Sequence, residues 1–144
     1  MQLYYFGTSE KPLFGVHHPA QGRSRRRGPK ECIVICPPIG TEHLRSFRAL
    51  KQLATMLSKQ GYDVLRFDYF GTGDSSGDCE EGSLQQWQED VETAIEELID
   101  MSGAEIASLI GLRIGGTLAA KVAQNTDKLC DIIKPPPPLL YYIV

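Results

Sequence analysis

Leu109-Ile110-Gly111-Leu112-Arg113-Ile114-Gly115-Gly116 is the stretch whose reading decides the fold. An apolar run ending at Ile110 predicts a buried strand, and Gly115 to Gln124 predicts a helix directly after it. The glycines fall where a sharp strand-to-helix turn requires them, because a residue without Cβ tolerates crowding and positive φ. Arg113 stands at the tip of that turn.

Working outward, Ala104 to Ile110 completes the strand that enters the turn, and Leu118, Ala119, Val122 and Ala123 give the helix beyond it a face suited to close packing on a sheet. Cys32-Ile33-Val34-Ile35-Cys36 is a continuous apolar run, as expected of a central strand covered on both faces. After Pro37-Pro38-Ile39-Gly40, the segment Glu42 to Lys59 carries Leu44, Phe47, Leu50, Ala54 and Leu57 at helical spacing. Thr41 is the expected N-cap and Gly61 the stop. A second strand, Tyr62 to Phe67, completes a strand–helix–strand unit and runs into the polar, glycine-rich loop Asp68 to Gly77. Ser83 caps a helix to about Ile99 whose apolar face is Leu84, Trp87, Val91, Ala94, Ile95 and Leu98, and Gly103 ends it. In front of all this, Gln2 to Phe6 and Leu13 to His17 read as a β-hairpin or two antiparallel edge strands. Cys130 to Ile133 begins a further central strand that Pro135 to Pro138 stops, and Leu139 to Val144 is an apolar tail without an evident partner. A hairpin followed by alternating strands and helices means an α/β fold: an antiparallel hairpin leading into a parallel sheet flanked by helices.

Composition narrows the function classes. The chain has 144 residues, one domain's worth, with 42% hydrophobic and 23% charged residues, as in ordinary globular proteins. A net charge of -3 gives no footprint for nucleic acid. Arg23, Arg25, Arg26, Arg27 and Lys30 cluster in the loop Pro19 to Lys30, but without interleaved aromatics for base stacking they read as a solvated tip. No stretch approaches the roughly 20 apolar residues of a membrane span, and Met1 to Tyr5 lacks the features of a signal peptide. Cys32, Cys36, Cys79 and Cys130 show no metal-ligand spacing and read as buried free thiols of a reducing, cytoplasmic compartment. Neither a metal nor a cofactor is expected.

Three segments together carry a family resemblance. Pro37-Pro38-Ile39-Gly40, Asp68-x-x-Gly71-x-Gly73-x-Ser75 and Gly111-Leu112-Arg113-Ile114-Gly115-Gly116 match, in order and spacing, the α/β-hydrolase superfamily. The chain looks closest to its serine-aminopeptidase-like branch and is similar to hydrolases associated with exosortase systems. The resemblance makes the first segment the oxyanion loop, the second a loop whose Asp68 orders its neighbours, and the third the nucleophile elbow. It covers residues 1–134 as the N-terminal part of such a domain, and leaves 135–144 as a Pro-rich tail that departs from the pattern. In the family an acid and then a histidine follow the nucleophile, whereas His17, His18 and His43 all precede the elbow here. That departure suggests a truncated or frame-disrupted reading frame, or a fragment.

The resemblance implies acyl transfer, which needs a nucleophile, a base and donors for an oxyanion. It places donors at the backbone N–H of Ile114 and at Ile39 or Gly40, since Pro37 and Pro38 have none. Arg113 occupies the nucleophile position, and a guanidinium stays protonated and cannot attack a carbonyl. Ser108 reads as a buried, hydrogen-bonded strand residue, Ser75 and Ser76 as turn residues bonded to their own backbone, and His43 as a helix-start residue. The expectation is a hydrolase relative inactive as it stands. Two alternatives stay open: a module holding a small acyl or anionic ligand on Arg113 at a helix N-terminus, and a non-functional product.

Overall fold

The continuous apolar run becomes the middle of the molecule. In the computed structural model, which describes residues 1–22, 28–125 and 142–143, it forms strand β3 (Glu31–Cys36), with Cys32 to Cys36 all buried. Two parallel strands flank it, β4 (Asp63–Phe67) and β5 (Ile106–Leu112). The hairpin β1 (Gln2–Gly7) and β2 (Pro12–His18) joins this parallel core through β2, which pairs antiparallel with β4. Tyr142–Ile143 (β6) pairs in parallel with the end of β5, so the tail expected to lack a partner has one there. The sheet order is β1-β2-β4-β3-β5-β6.

Because successive side chains of a strand point to opposite faces, each central strand feeds two cores. Ile33 and Ile35 of β3 and Val64 of β4 meet Leu50 and Ala54 of helix α1 (Gly40–Lys59) on one face. Cys32, Val34, Cys36, Leu65 and Phe67 meet helices α2 (Leu84–Ser102) and α3 (Ile114–Asn125) on the other, through Val91, Ala94, Leu98, Leu118, Ala119 and Val122. Small residues on α3 let it lie close to the sheet. Among the described residues no helix is long and apolar enough to cross a membrane.

Several local expectations are corrected. The N-cap of α1 is Ile39, in extended backbone and with no side-chain cap, rather than Thr41; Gly40 turns the chain into the helix with φ 63°. The apolar stripe of α1 is buried only from Leu50 onward: Leu44 is 77% exposed, and Phe47, 47% exposed, lies over the Arg66 guanidinium of β4. Leu84, at the first turn of α2, is likewise exposed. Ser83 does cap α2, accepting the Gln86 N–H at 3.1 Å, and Gly103 ends that helix in the left-handed conformation. The third central strand runs two residues later than Ala104 to Ile110, because Glu105 and Ile106 first donate their N–H groups to the Lys30 carbonyl. Cys32 and Cys36 are buried free thiols, but Cys79, in a short 3-10 turn (Cys79–Glu81), is exposed. The run Arg23 to Arg27, the strand from Cys130 and the prolines 135–138 lie outside the described residues.

Candidate active site at the ends of the central strands

The site forms where two neighbouring parallel strands end. Cys36 and Gly111 are register partners on β3 and β5, so the loops that follow them leave the sheet side by side. One loop enters α1 through Ile39 and Gly40; the other enters α3 through Arg113 and Ile114.

The second loop is a tight strand-to-helix bend. Arg113 adopts φ 58° and is the one non-glycine residue with positive φ among the described residues. An L side chain there costs on the order of 1–2 kcal/mol. The glycines around it are sterically obligatory. A Cβ on Gly111 would sit 2.4 Å from the Gly116 nitrogen, and one on Gly115 would sit 2.1 Å from the Cys36 carbonyl oxygen. Gly115 thus lets the first turn of α3 press against the end of β3. The Arg113 carbonyl accepts the N–H of Gly116 at 3.0 Å, which closes the turn.

The residues marked in the sequence come together here. Ile39 and Ile114 are both half-buried and rest against the same core cluster, while Gly40 and Arg113 are exposed. The first N–H groups of a helix lack a carbonyl of the helix to bond, so Gly40 and Ile114 bring such donors to adjacent loop ends, while those of Gly116 and Thr117 go to the Arg113 carbonyl. The partner of Arg113 was not foreseen. Its Nε lies 3.3 Å from Oε1 of Glu42, in the first turn of α1, as a solvent-exposed ion pair bridging the two loops. Acidic residues favour a helix N-terminus, and that was the one available signal.

The neighbouring loop after β4 holds the site from the side. Tyr69 is fully buried and donates its hydroxyl to the Pro37 carbonyl at 3.0 Å; burial raises its pKa, so it remains a donor. Buried Asp90 accepts the Phe70 N–H at 2.8 Å and the Gln86 amide at 2.9 Å, and Trp87 donates to the Phe70 carbonyl. Asp68 accepts the Asp74 N–H at 3.0 Å and lies 3.5 Å from His43, which sits near the start of α1 and whose ring meets Phe47. A Cβ on Gly73 would clash with the Asp68 carboxylate, and one on Gly77 with the Phe70 ring. Ser75 bonds its own loop as expected, donating its hydroxyl to the Asp68 carbonyl, and also accepts the Phe14 N–H, whereas the Ser76 hydroxyl leaves the loop and donates to the Pro12 carbonyl of β2. Ser108 is half-buried and donates to Glu31. Among the described residues no group of three His, Cys, Asp or Glu side chains is placed to hold a metal ion.

A hairpin-led sheet, helices on both faces and a glycine-lined bend after β5 define an α/β-hydrolase fold. Solved structures agree. An alpha-beta serine hydrolase homologue from Coxiella burnetii superposes with a TM-score of 0.68 at 18% identity, over 88% of this chain and 58% of that one. Alpha/beta hydrolase domain-containing protein 10 from mouse gives a TM-score of 0.56 at 23% identity, over 90% and 47%. Residues 28–134 match the family described as serine aminopeptidase, S33, and the chain belongs to that family. The mitochondrial palmitoyl-protein thioesterase ABHD10 of Homo sapiens is 41% identical over 74 residues, 51% of this chain and 23% of that protein. The match therefore spans less than a quarter of the human protein's length.

Proposed function

We propose that this chain is a hydrolase relative whose bend between β5 and α3 is the nucleophile elbow, with Arg113 in the nucleophile's place and no serine-type acyl transfer there. The observation that carries this reading is Arg113 itself, at φ 58° on the tip of the bend. A serine in that conformation projects its hydroxyl from the sheet end, beside the helix donors that stabilise an oxyanion. The frame of N–H groups at Ile114 and at Ile39 or Gly40 suits that chemistry. The guanidinium supplies neither a nucleophile nor a base. The human relative's name assigns it a thioesterase activity on palmitoyl-proteins, and such a reaction requires an attacking atom that Arg113 does not offer.

Hydrolysis of p-nitrophenyl butyrate by the purified chain tests the reading directly. The expected rate equals that of the buffer blank, with no labelling by a fluorophosphonate probe. Turnover above the blank that disappears in Arg113→Ala would overturn it.

A second reading follows from the same geometry: a small acyl or anionic ligand held on Arg113, with Ile39, Gly40 and Ile114 as donors. Two adjoining helix N-termini beside an exposed cation favour it. Glu42 competes for the same guanidinium, so the reading requires an incoming anion to displace an exposed carboxylate, a pair worth only about 0–1 kcal/mol. A thermal-shift series with acetate and phosphate decides it: the stabilisation must vanish in Arg113→Ala.

A further inference from the structure

At the hairpin end of the sheet, β1 pairs with β2 on one side and, among the described residues, with no strand on the other. Which of its backbone groups face outward follows from β2. The Phe14 carbonyl accepts the Asp68 N–H, and the Phe14 N–H donates to Ser75, so the Phe14 backbone points toward β4 and away from β1. Bonded and non-bonded pairs alternate along an antiparallel ladder. Tyr5, the register partner of Phe14, is therefore not bonded to β2, and neither is Leu3 opposite Val16. The N–H and C=O groups of Leu3 and Tyr5 point out of the sheet edge, while Gln2, Tyr4 and Phe6 bond β2.

Natural edges are blunted by charged residues, proline or a bulge. Gln2–Gly7 has no charged residue and no proline, and its register with β2 runs without a bulge. Leu3 and Tyr5 lie on the same face of the strand, 60% and 61% exposed. On that face a cavity of about 200 Å³, lined by Leu3, Phe14, Val16 and Phe47 among others, separates the hairpin from α1.

The charges along this edge differ from end to end. At the Leu3 end, Arg66 donates its Nε to Nε2 of His18 at 3.1 Å. Burial, with Arg66 and Lys51 nearby, pushes the His18 imidazole down to about 4, which puts the exposed Lys51 at this end. At the Tyr5 end, the Tyr5 hydroxyl donates to the carbonyl of exposed Asp74 at 3.2 Å.

We propose that two copies of this chain dimerise through β1, paired antiparallel with itself across a two-fold axis at Tyr4. Leu3 then exchanges both backbone hydrogen bonds with Tyr5 of the partner subunit, and the axis repeats the exchange. The same register sets the Leu3 side chain against the Tyr5 ring and turns the Lys51 end of one copy toward the Asp74 end of the other. A strand of either charge sign would satisfy the backbone, but the chain's own β1 also matches the charges. Because the two-fold consumes both edges, the assembly closes at two copies. This edge is three strands away from β5 and its bend, so the proposal is independent of the reading of Arg113.

Amide hydrogen exchange on the purified full chain without an N-terminal tag, at micromolar and at submillimolar concentration, tests it beside sedimentation velocity. The sedimenting species should grow from monomer to dimer and no further. The Leu3 and Tyr5 amides should exchange freely in the monomer and at least about tenfold more slowly in the dimer, whereas those of Tyr4 and Phe6 stay slow in both. Leu3→Pro removes an N–H that β2 does not use, which an edge strand accommodates. It should weaken the dimer about tenfold or more, since each copy loses one bond. Lys51→Glu and Asp74→Lys should each weaken it about threefold, and the double variant should restore it. The exchange comparison needs no variant, so it stands even if Leu3→Pro does not fold. A monomer at every concentration, growth past the dimer, or a dimer whose Leu3 and Tyr5 amides still exchange freely would each overturn the proposal. A double variant no tighter than either single one would overturn the two-fold register.

Discussion

Arg113 and the glycines beside it show how a single residue's geometry shapes this site. Two replacements separate steric from conformational demand. Gly115→Ala must place a Cβ 2.1 Å from one backbone oxygen and 2.6 Å from another, neither of which can swing aside, so it should cost about 3 kcal/mol or more in urea unfolding. Gly40→Ala meets nothing in space and is penalised only for φ 63°, so about 1–2 kcal/mol is expected. Equal losses would mean that α3 does not press on the end of β3 as described. The bend was legible in the sequence because its causes are local: an apolar run, then glycines at the crowded positions. The Glu42 partner was not, because nothing in the chain between Glu42 and Arg113 says that two loops will leave the sheet together.

Helix ends carry the corresponding lesson for elements. Ser83 and Thr41 look alike in the sequence, a hydroxyl residue ahead of an amphipathic run, yet only Ser83 is a cap. Thr41 falls one residue inside α1, since Gly40 has already turned the chain and Ile39 takes the cap position. Ser83→Ala should therefore cost about 1 kcal/mol in equilibrium unfolding, while Thr41→Ala should stay within about 0.5 kcal/mol. The reverse order would restore the sequence-based assignment. Periodicity placed every one of the main elements, and missed mainly at their edges. Leu44 and Phe47 belong to the apolar stripe of α1, but Leu44 stays in solvent and Phe47 covers a charged residue of β4, Arg66, and is only half buried. Pattern alone does not say what each turn of a helix will face.

For the whole molecule, the core between sheet and helices sets the chemistry of the thiols. Cys32 and Cys36 have no exposed surface, and burial pushes their thiols up to about 11 and about 12, whereas Cys79 is exposed. Peptide-resolved iodoacetamide labelling at neutral pH should modify Cys79 promptly and spare Cys32 and Cys36, because the thiolate is the reactive form and solvent does not reach them. In a urea series both protected thiols should become reactive together, at one midpoint, since β3 lies at the centre of the sheet. Early labelling of either would show that the sheet opens before the molecule unfolds.

The order and kind of the elements, and the bend with arginine at its tip, were determined by the sequence by itself. They depend on side-chain periodicity along one segment and on the sterics of residues without Cβ. Only the tertiary structure decided that Glu42 meets Arg113, that Arg66 lies against His18 and beneath Phe47, and that a cavity opens beside them. Those meetings join segments far apart in the chain, and they are set by which strands lie adjacent in the sheet and which helix covers each face.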